Sequence, residues 1–414
     1  MTGPSKTAVS DRLAGIDFLR GIAVLGVVAV HVPHYAHGGW RENPLFFPAF
    51  LVQFGVLGVP LFIVISGFCI HRRAALDHLT SGAYHLDWRA FWIRRFWRLY
   101  PPYVVAMLLG LLAAAFVHEH YALSSETVVD VTLHLLMLHN LTEFGSSLGN
   151  GALWSLGMEE QLYALYAVAL LPLIRLRWAW TLAIAGVVAF VWRILLFHQP
   201  DVPLGGLGFD LGSWYFWPFG YWFHWALGAY AVELSSRSER PHALYYSNLL
   251  MAGLFATAFV TSVRLHELLA DTNALGPAID AVRGTLWLRG VHAFSEMLFA
   301  VAFFVMAVRC ATSTAFDSGL AARLAAPIVV VGTFSYSLYL VHVPVIHALE
   351  AVMPLDQTWW PSMLVYYAVL VPASLIAGRV FFNVVERPFL ERRWGGAGVR
   401  RSSGSTPVDG GPAS

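Results

Sequence analysis

The chain has 414 residues, 57% of them hydrophobic and only 12% charged, and its formal net charge is +1. A mean hydropathy of +0.61 lies far outside the range of soluble globular chains, so this is the sequence of a multi-span membrane protein. Nucleic-acid binding has no support in this balance of charge, and the two cysteines, Cys69 and Cys310, have neither a paired nor a metal-binding spacing.

From the N-terminus, the polar stretch MTGPSKTAVSDRLAG runs directly into a full-length apolar segment with no small-residue cleavage site, so no removable signal peptide is read. Apolar stretches able to cross a hydrocarbon core of about 30 Å then recur to the end. They predict an all-α integral membrane fold of about ten transmembrane helices, near 14–34, 48–70, 98–117, 152–173, 178–197, 213–234, 245–263, 291–309, 326–349 and 361–384. The implied organisation is a cytoplasmic N-terminal segment, 1–13, a polytopic membrane domain, 14–390, and a disordered cytoplasmic tail, 391–414, rich in Gly, Ser and Pro.

One further run, Val128 to Leu141, is short and histidine-rich for a span, and the positive residues arbitrate. Lys6 and Arg12, the group from Arg72 to Arg98, and the pairs Arg175/Arg177, Arg237/Arg240, Arg309/Arg323 and Arg392/Arg393 share one side if 128–141 does not cross. The positive-inside rule makes that side the cytoplasm and places both termini there. The loop 264–290 is discordant, with Arg264, Arg283 and Arg289 diluted by Glu267, Asp271 and Asp280.

Ionisable residues inside spans are costly and mark functional sites by default. The first span, FLRGIAVLGVVAVHV, holds Arg20 and His31 eleven residues apart. At 3.6 residues per turn that is close to three full turns, so both share one face and stand roughly 16 Å apart along the axis. Taken singly, Arg20 could snorkel and His31 could hydrogen-bond at an interface; taken together they suggest something long lying between them. Asp17, one turn before Arg20, can pair with it.

In FWIRRFWRLYPPY, Arg95 and Arg98 are one turn apart and form a guanidinium cradle suited to a phosphorylated ligand, although interfacial anchoring explains such clusters equally well. In LWSLGMEEQLYALY, Glu159 and Glu160 lie inside a span, and only one of two adjacent residues can face inward. Placed at a depth similar to His31, Glu159 is expected to pair with it and raise its basicity as a general base for a hydroxyl, unless Glu159 serves packing with another polar residue.

Weaker signals complete the set. The Ser-Gly of VISGFCIHRR is the mark of close helix packing, and Ser335, Tyr336, Tyr339 and His342 of GTFSYSLYLVHVPV run along one span. Ser66, Tyr336 and His342 are the candidate substrate-binding residues among them. His118, His120, His134 and His139 lack an ordered metal-ligand spacing and are expected to be solvated or interfacial. The aromatic run GSWYFWPFGYWFHW reads as an interfacial belt.

Together, FLRGIAVLGVVAVH with its Arg-x10-His spacing, SGF, RRFWRLYP, WSLGMEEQLY, SYSLYLVH and VERP occur in the order found in the membrane acyltransferase-3 family, which the sequence resembles over roughly residues 14–390. The resemblance implies an integral membrane enzyme that moves an acyl group, most often acetyl, from cytosolic acyl-CoA to a hydroxyl of a carbohydrate or lipid-linked glycan. No permanently bound cofactor is implied; acyl-CoA is the donor substrate. By the same resemblance Arg20 and His31 match the family's essential pair, Arg95 and Arg98 its Arg-x-x-Arg, and Glu159 the acid of its Trp-Ser-Leu segment. Some relatives carry an added esterase-like domain; here it is expected to be a separate chain. A bacterial inner or plasma membrane location and an envelope glycan acceptor follow from an outward-facing hydroxyl site, with a small secondary metabolite such as a macrolide as the alternative acceptor. Direct transfer and an acyl-histidine intermediate stay open. A transporter or flippase would also bury charges, but it would need no phosphate cradle at one end and acid-base chemistry at the other.

Overall fold

The computed structural model describes residues 13–35, 52–117, 125–142, 148–196, 216–237, 241–263, 276–282, 285–353 and 360–391, with the short stretches 203–204, 209–210 and 265–266. His118, His120 and nearly all of the predicted terminal segments 1–13 and 391–414 lie outside them. The described residues are almost entirely helical, and their β structure is a two-residue antiparallel pair, Pro203–Leu204 with Phe209–Asp210.

Helix α1, Ala14–Tyr35, is the central element. It opens with Asp17 in its first turn, where a carboxylate complements the positive end of the helix dipole, and it buries Leu19, Val24 and Val28 completely. Packed around it are α2, Gly58–Ser81, and, from the second half of the chain, α11, Leu286–Thr312, α12, Gly319–Thr333, α13, Ser335–Val352, and α14, Trp360–Phe381. Between these lie α3, Trp88–Val117, α4, Ser125–Leu135, α5, Trp154–Leu165, α6, Leu171–Leu176, α7, Trp178–Leu196, α8, Trp222–Ser235, α9, Asn248–Val260, and α10, Gly276–Val282. A π-turn, Tyr166–Leu170, joins α5 to α6, and a second, Phe382–Glu386, follows α14 and leads into α15, Arg387–Glu391.

Among the described residues, helices occur at all ten predicted segments, and six of them are long and apolar enough to cross a membrane. A seventh crossing forms if α12 and α13, bent by 70° at Phe334, count as one span. At 14 and 13 residues, α8 and α9 are roughly 20 Å long. Outward-facing Leu112, Val168, Val187, Leu249 and Ile376 are exposed, the surface expected where lipid is the solvent. Helix α4 spans 11 residues, too short to cross at 1.5 Å per residue.

Three expectations change. Helix α3 begins at Trp88 rather than near 98, so the expected one-turn spacing of Arg95 and Arg98 falls inside a longer continuous helix. The described part of the aromatic run is core rather than belt: Tyr221, Trp222 and Trp225 are buried against α5 and α7 neighbours. His134 and His139 are also buried, stacked at 3.8 Å between ring centroids, with His134 Nδ1 at 2.9 Å from Asp130 one turn away. Burial pushes the His139 pKa down to about 3, so this ring is a neutral stacking surface.

Helices α2 and α8 cross at backbone contact. A Cβ on Gly228 would stand 1.9 Å from the Val64 carbonyl oxygen, and one on Gly67 2.1 Å from that of Trp225. Backbone carbonyls cannot retreat as a flexible side chain can, so Gly228→Ala should force the helices apart at a cost of about 1–3 kcal/mol or more. Thermal unfolding in detergent, followed by loss of the monodisperse peak, should show a clear drop for this variant.

Candidate functional site

The site is a cavity of about 130 Å³ between α1, α2, α3, α5 and the α12/α13 bend. Helix α2 contributes Val59, Phe62, Ile63, Ser66, Cys69 and Ile70, the three-and-four spacing of one helical face. Helix α3 contributes Arg95, Arg98 and Leu99, and α5 contributes Ser155, Leu156, Glu159 and Tyr163. From the bend come Gly332, Thr333, Ser335, Tyr336 and Tyr339, and the second π-turn adds Glu386. Gly332 is required here because its backbone lies on α1: a Cβ would meet the Asp17 carbonyl oxygen at 1.8 Å.

One end of the cavity is cationic. Arg20 Nη1 pairs with Asp17 Oδ1 at 3.2 Å, and its Nη2 donates to Cys69 Sγ at 3.1 Å. Arg95 lies 5.9 Å from the ring centres of both Phe91 and Tyr163, a cation–π setting that fixes its direction. Arg98 faces Arg95, Arg20 and the Glu386 carboxylate, which also accepts a short hydrogen bond from Ser337. Pro101 and Pro102 withhold the amide donors that would close the ladder onto the Trp97 and Arg98 carbonyls, and Tyr336 OH reaches the adjacent Leu99 carbonyl at 2.8 Å.

Deeper in the cavity, Glu159 Oε1 accepts hydrogen bonds from Ser66 Oγ and Tyr163 OH, each at 2.5 Å. The expected His31–Glu159 pair is therefore not formed. Glu159 belongs with Arg20 in the cationic half, because Ser66, its partner, lies two turns along α2 from the end of the helix that approaches Val27.

Beyond Glu159 a polar chain continues away from the arginines. Ser155 Oγ and Tyr339 OH are 2.6 Å apart, and Tyr339 OH donates to the Ala152 carbonyl at 2.9 Å. The Tyr339 ring lies 5.6 Å from His342, and His342 meets His31 edge-on at 4.8 Å. Neither histidine lines the cavity.

The hydrogen bonds of both histidines fix their tautomers. His31 Nδ1 donates to the Val27 carbonyl and His342 Nδ1 to the Tyr339 carbonyl, each at 2.7 Å. A carbonyl only accepts, so each neutral ring carries its proton on Nδ1 and its lone pair on Nε2. His342 Nε2 is buried without a partner among the described residues, so it awaits a donor such as a hydroxyl. Helix α1's own backbone thus does for His31 what Glu159 was expected to do.

Of the residues selected from sequence, the structure gathers Arg20, Arg95, Arg98, Ser66, Glu159 and Tyr336 around one cavity and sets His31 with His342 next to it. Tyr163, Ser155, Tyr339 and Cys69 escaped notice as site residues. Tyr163 is one turn from Glu159, a spacing visible in sequence; the Ser155–Tyr339 contact, 184 residues apart, has no local signal.

A separate buried network ties α2, α8 and the α2–α3 loop. His71 bonds Glu233 Oε1 at 2.8 Å and Tyr166 OH at 3.0 Å, and Tyr84 OH donates to the same Glu233 oxygen at 2.9 Å. Burial raises the Tyr84 pKa to about 12, so its phenol stays a donor. Glu233→Leu strands both donors and should cost about 3–5 kcal/mol, lowering thermal stability in detergent while leaving donor affinity of the folded fraction unchanged.

An all-helical bundle with several membrane-capable spans and an internal cavity, cationic at one end and with two histidines set beyond Tyr339 at the other, defines a multi-pass membrane protein with a built polar site. A family model described as "Acyltransferase domain" matches residues 13–379, and the chain belongs to that family, the membrane acyltransferase-3 family of the sequence resemblance. It is 24% identical over 401 residues to "Peptidoglycan O-acetyltransferase OatA" of Listeria monocytogenes serovar 1/2a, covering 90% of this chain and 55% of that protein. It is also 28% identical over 174 residues to "Putative peptidoglycan O-acetyltransferase YrhL" of Bacillus subtilis strain 168, covering 40% of this chain and 25% of the relative. The chain thus spans about half the length of the first of these relatives and a quarter of the second. No solved structure matches it.

Proposed function

We propose that the chain is an O-acyltransferase that takes an acyl group, acetyl in the first instance, from acyl-CoA and passes it to a hydroxyl of an envelope carbohydrate. The observation that carries this reading is the single cavity in which Arg20, Arg95 and Arg98 gather at one end, with the Tyr339–His342–His31 series continuing from the other. Arginine forks suit the phosphates of the donor, and the roughly 16 Å along α1 from Arg20 to His31 gives the pantetheine arm a path. Ser66, Glu159 and Tyr336 line that path.

At the far end His31 Nε2 takes the proton of the acceptor hydroxyl as its oxygen attacks the thioester carbonyl. The tetrahedral intermediate collapses with cleavage of the carbon–sulfur bond, and the imidazolium returns the proton to the leaving thiolate. His342 Nε2, one edge contact away, accepts a hydrogen bond from a neighbouring hydroxyl and orients the acceptor. Peptidoglycan sugars are the first acceptor to try, because that word stands in the names of the relatives.

The distribution of positive residues supports ten crossings with both termini and the arginine end on the cytoplasmic side of a bacterial plasma or inner membrane. Acyl groups would then cross the bilayer while the donor stays behind. The test is mass spectrometry of envelope glycans and lipids from cells lacking the gene, complemented with wild type or His31→Ala at matched abundance. Return of an acyl-sized mass increment with wild type alone supports the enzyme and identifies the acceptor; equal return with His31→Ala refutes the catalytic assignment.

A further inference from the structure

The donor cavity ends short of the histidines, and what stops it is specific. Tyr339 borders the cavity on one side and His342 on the other. Across from it, the Phe62 ring meets Tyr339 edge-on with centroids 6.0 Å apart. Val59, Ile63 and Leu156 complete an apolar lining at this end, in contrast to the arginine end. Tyr339 is fixed through its hydroxyl by Ser155 and the Ala152 carbonyl. Phe62 has no polar tether, and it packs against both hydrophobic cores that flank α1.

Resting on the acyl-CoA reading above, we propose that Phe62 sets the acyl length: its ring closes the apolar end of the cavity against Tyr339 and restricts the donor to short-chain acyl thioesters of acetyl size. With the donor's phosphates at the arginine end, the acyl group leads the thioester and meets this aromatic pair first, so each added methylene must share the space the Phe62 ring fills. Packed apolar walls of this kind discriminate a single methylene by roughly 10–200-fold. Shortening Phe62 opens room in line with the cavity and leaves the arginine end untouched.

The experiment uses the full chain in membranes with a peptidoglycan disaccharide acceptor, and compares transfer from acetyl-CoA and hexanoyl-CoA by mass spectrometry. Acetyl-CoA binding is measured in parallel by displacement of radiolabelled acetyl-CoA. With Phe62→Ala the hexanoyl-to-acetyl ratio of kcat/KM should rise at least about tenfold, with Phe62→Leu giving a smaller rise. Phe62→Trp should lower the hexanoyl-to-acetyl ratio further, a result that does not depend on the alanine variant folding. An unaltered chain-length profile in variants that still bind acetyl-CoA overturns the assignment of Phe62. Absence of acetyl-CoA binding by the wild type overturns the donor reading on which it rests, and is separated from the first failure by the displacement measurement.

Discussion

Replacing His31 with alanine should lower acyl transfer by about two to four orders of magnitude, the contribution of a positioned general base, while leaving donor binding intact. The split follows from the geometry. The arginines that would hold the donor lie at the opposite end of the cavity, roughly three turns of α1 away from His31, and His31 is not part of the cavity lining. Turnover measured in membranes at saturating acetyl-CoA, beside displacement of labelled acetyl-CoA, checks both halves. A fall in donor affinity with unchanged kcat would reverse the assignment of the two ends. His31→Gln is the more informative partner variant, since an amide keeps a donor for the Val27 carbonyl, now met by His31 Nδ1 at 2.7 Å, but supplies no imidazole base. Its activity should be as low as that of His31→Ala.

Replacing Arg98 with lysine should raise the KM for acyl-CoA about 10-fold to 100-fold with kcat nearly unchanged, the 1.5–3 kcal/mol of a hydrogen bond to a charged group. Lysine keeps the charge and loses the planar fork, so the substitution is not conservative where phosphate is held bidentately. Arg98 is the arginine to choose because it stands among Arg95, Arg20 and Glu386, where like charges crowd in the absence of an anion. A polyanionic ligand relieves that crowding. The same variant should discriminate less between acetyl-CoA and acetyl-pantetheine, which lacks the nucleotide phosphates. An unchanged preference for the full donor would place the phosphates elsewhere.

Much of the site was legible in the sequence because its geometry is local. Arg20 and His31 share a face of one helix by helical repeat alone, Arg95 and Arg98 are one turn apart, and Asp17 reaches Arg20 at the predicted spacing. Membrane class was equally legible, since hydropathy integrates over whole segments and needs no partner. The start of α3 was harder: the arginines that crowd 72–98 hide the fact that the helix begins earlier, at Trp88, which it can do because Arg95 and Arg98 turn into a cavity. The buried aromatic stretch at Tyr221–Trp225 was misread for a related reason, as a belt and a core have the same composition and differ only in what covers them.

By itself, then, the sequence determined the all-helical membrane class and the common face of Arg20 and His31 on one helix, because helix periodicity and hydropathy act over a few neighbouring residues. Only the tertiary structure decided which groups meet across helices. Depth in a bundle depends on where each helix starts and how closely backbones approach, as at Gly332 on Asp17. That packing sends Glu159 to Ser66 and Tyr163 rather than to His31, brings His342 to His31, and sets Phe62 against Tyr339 between the two ends of the site.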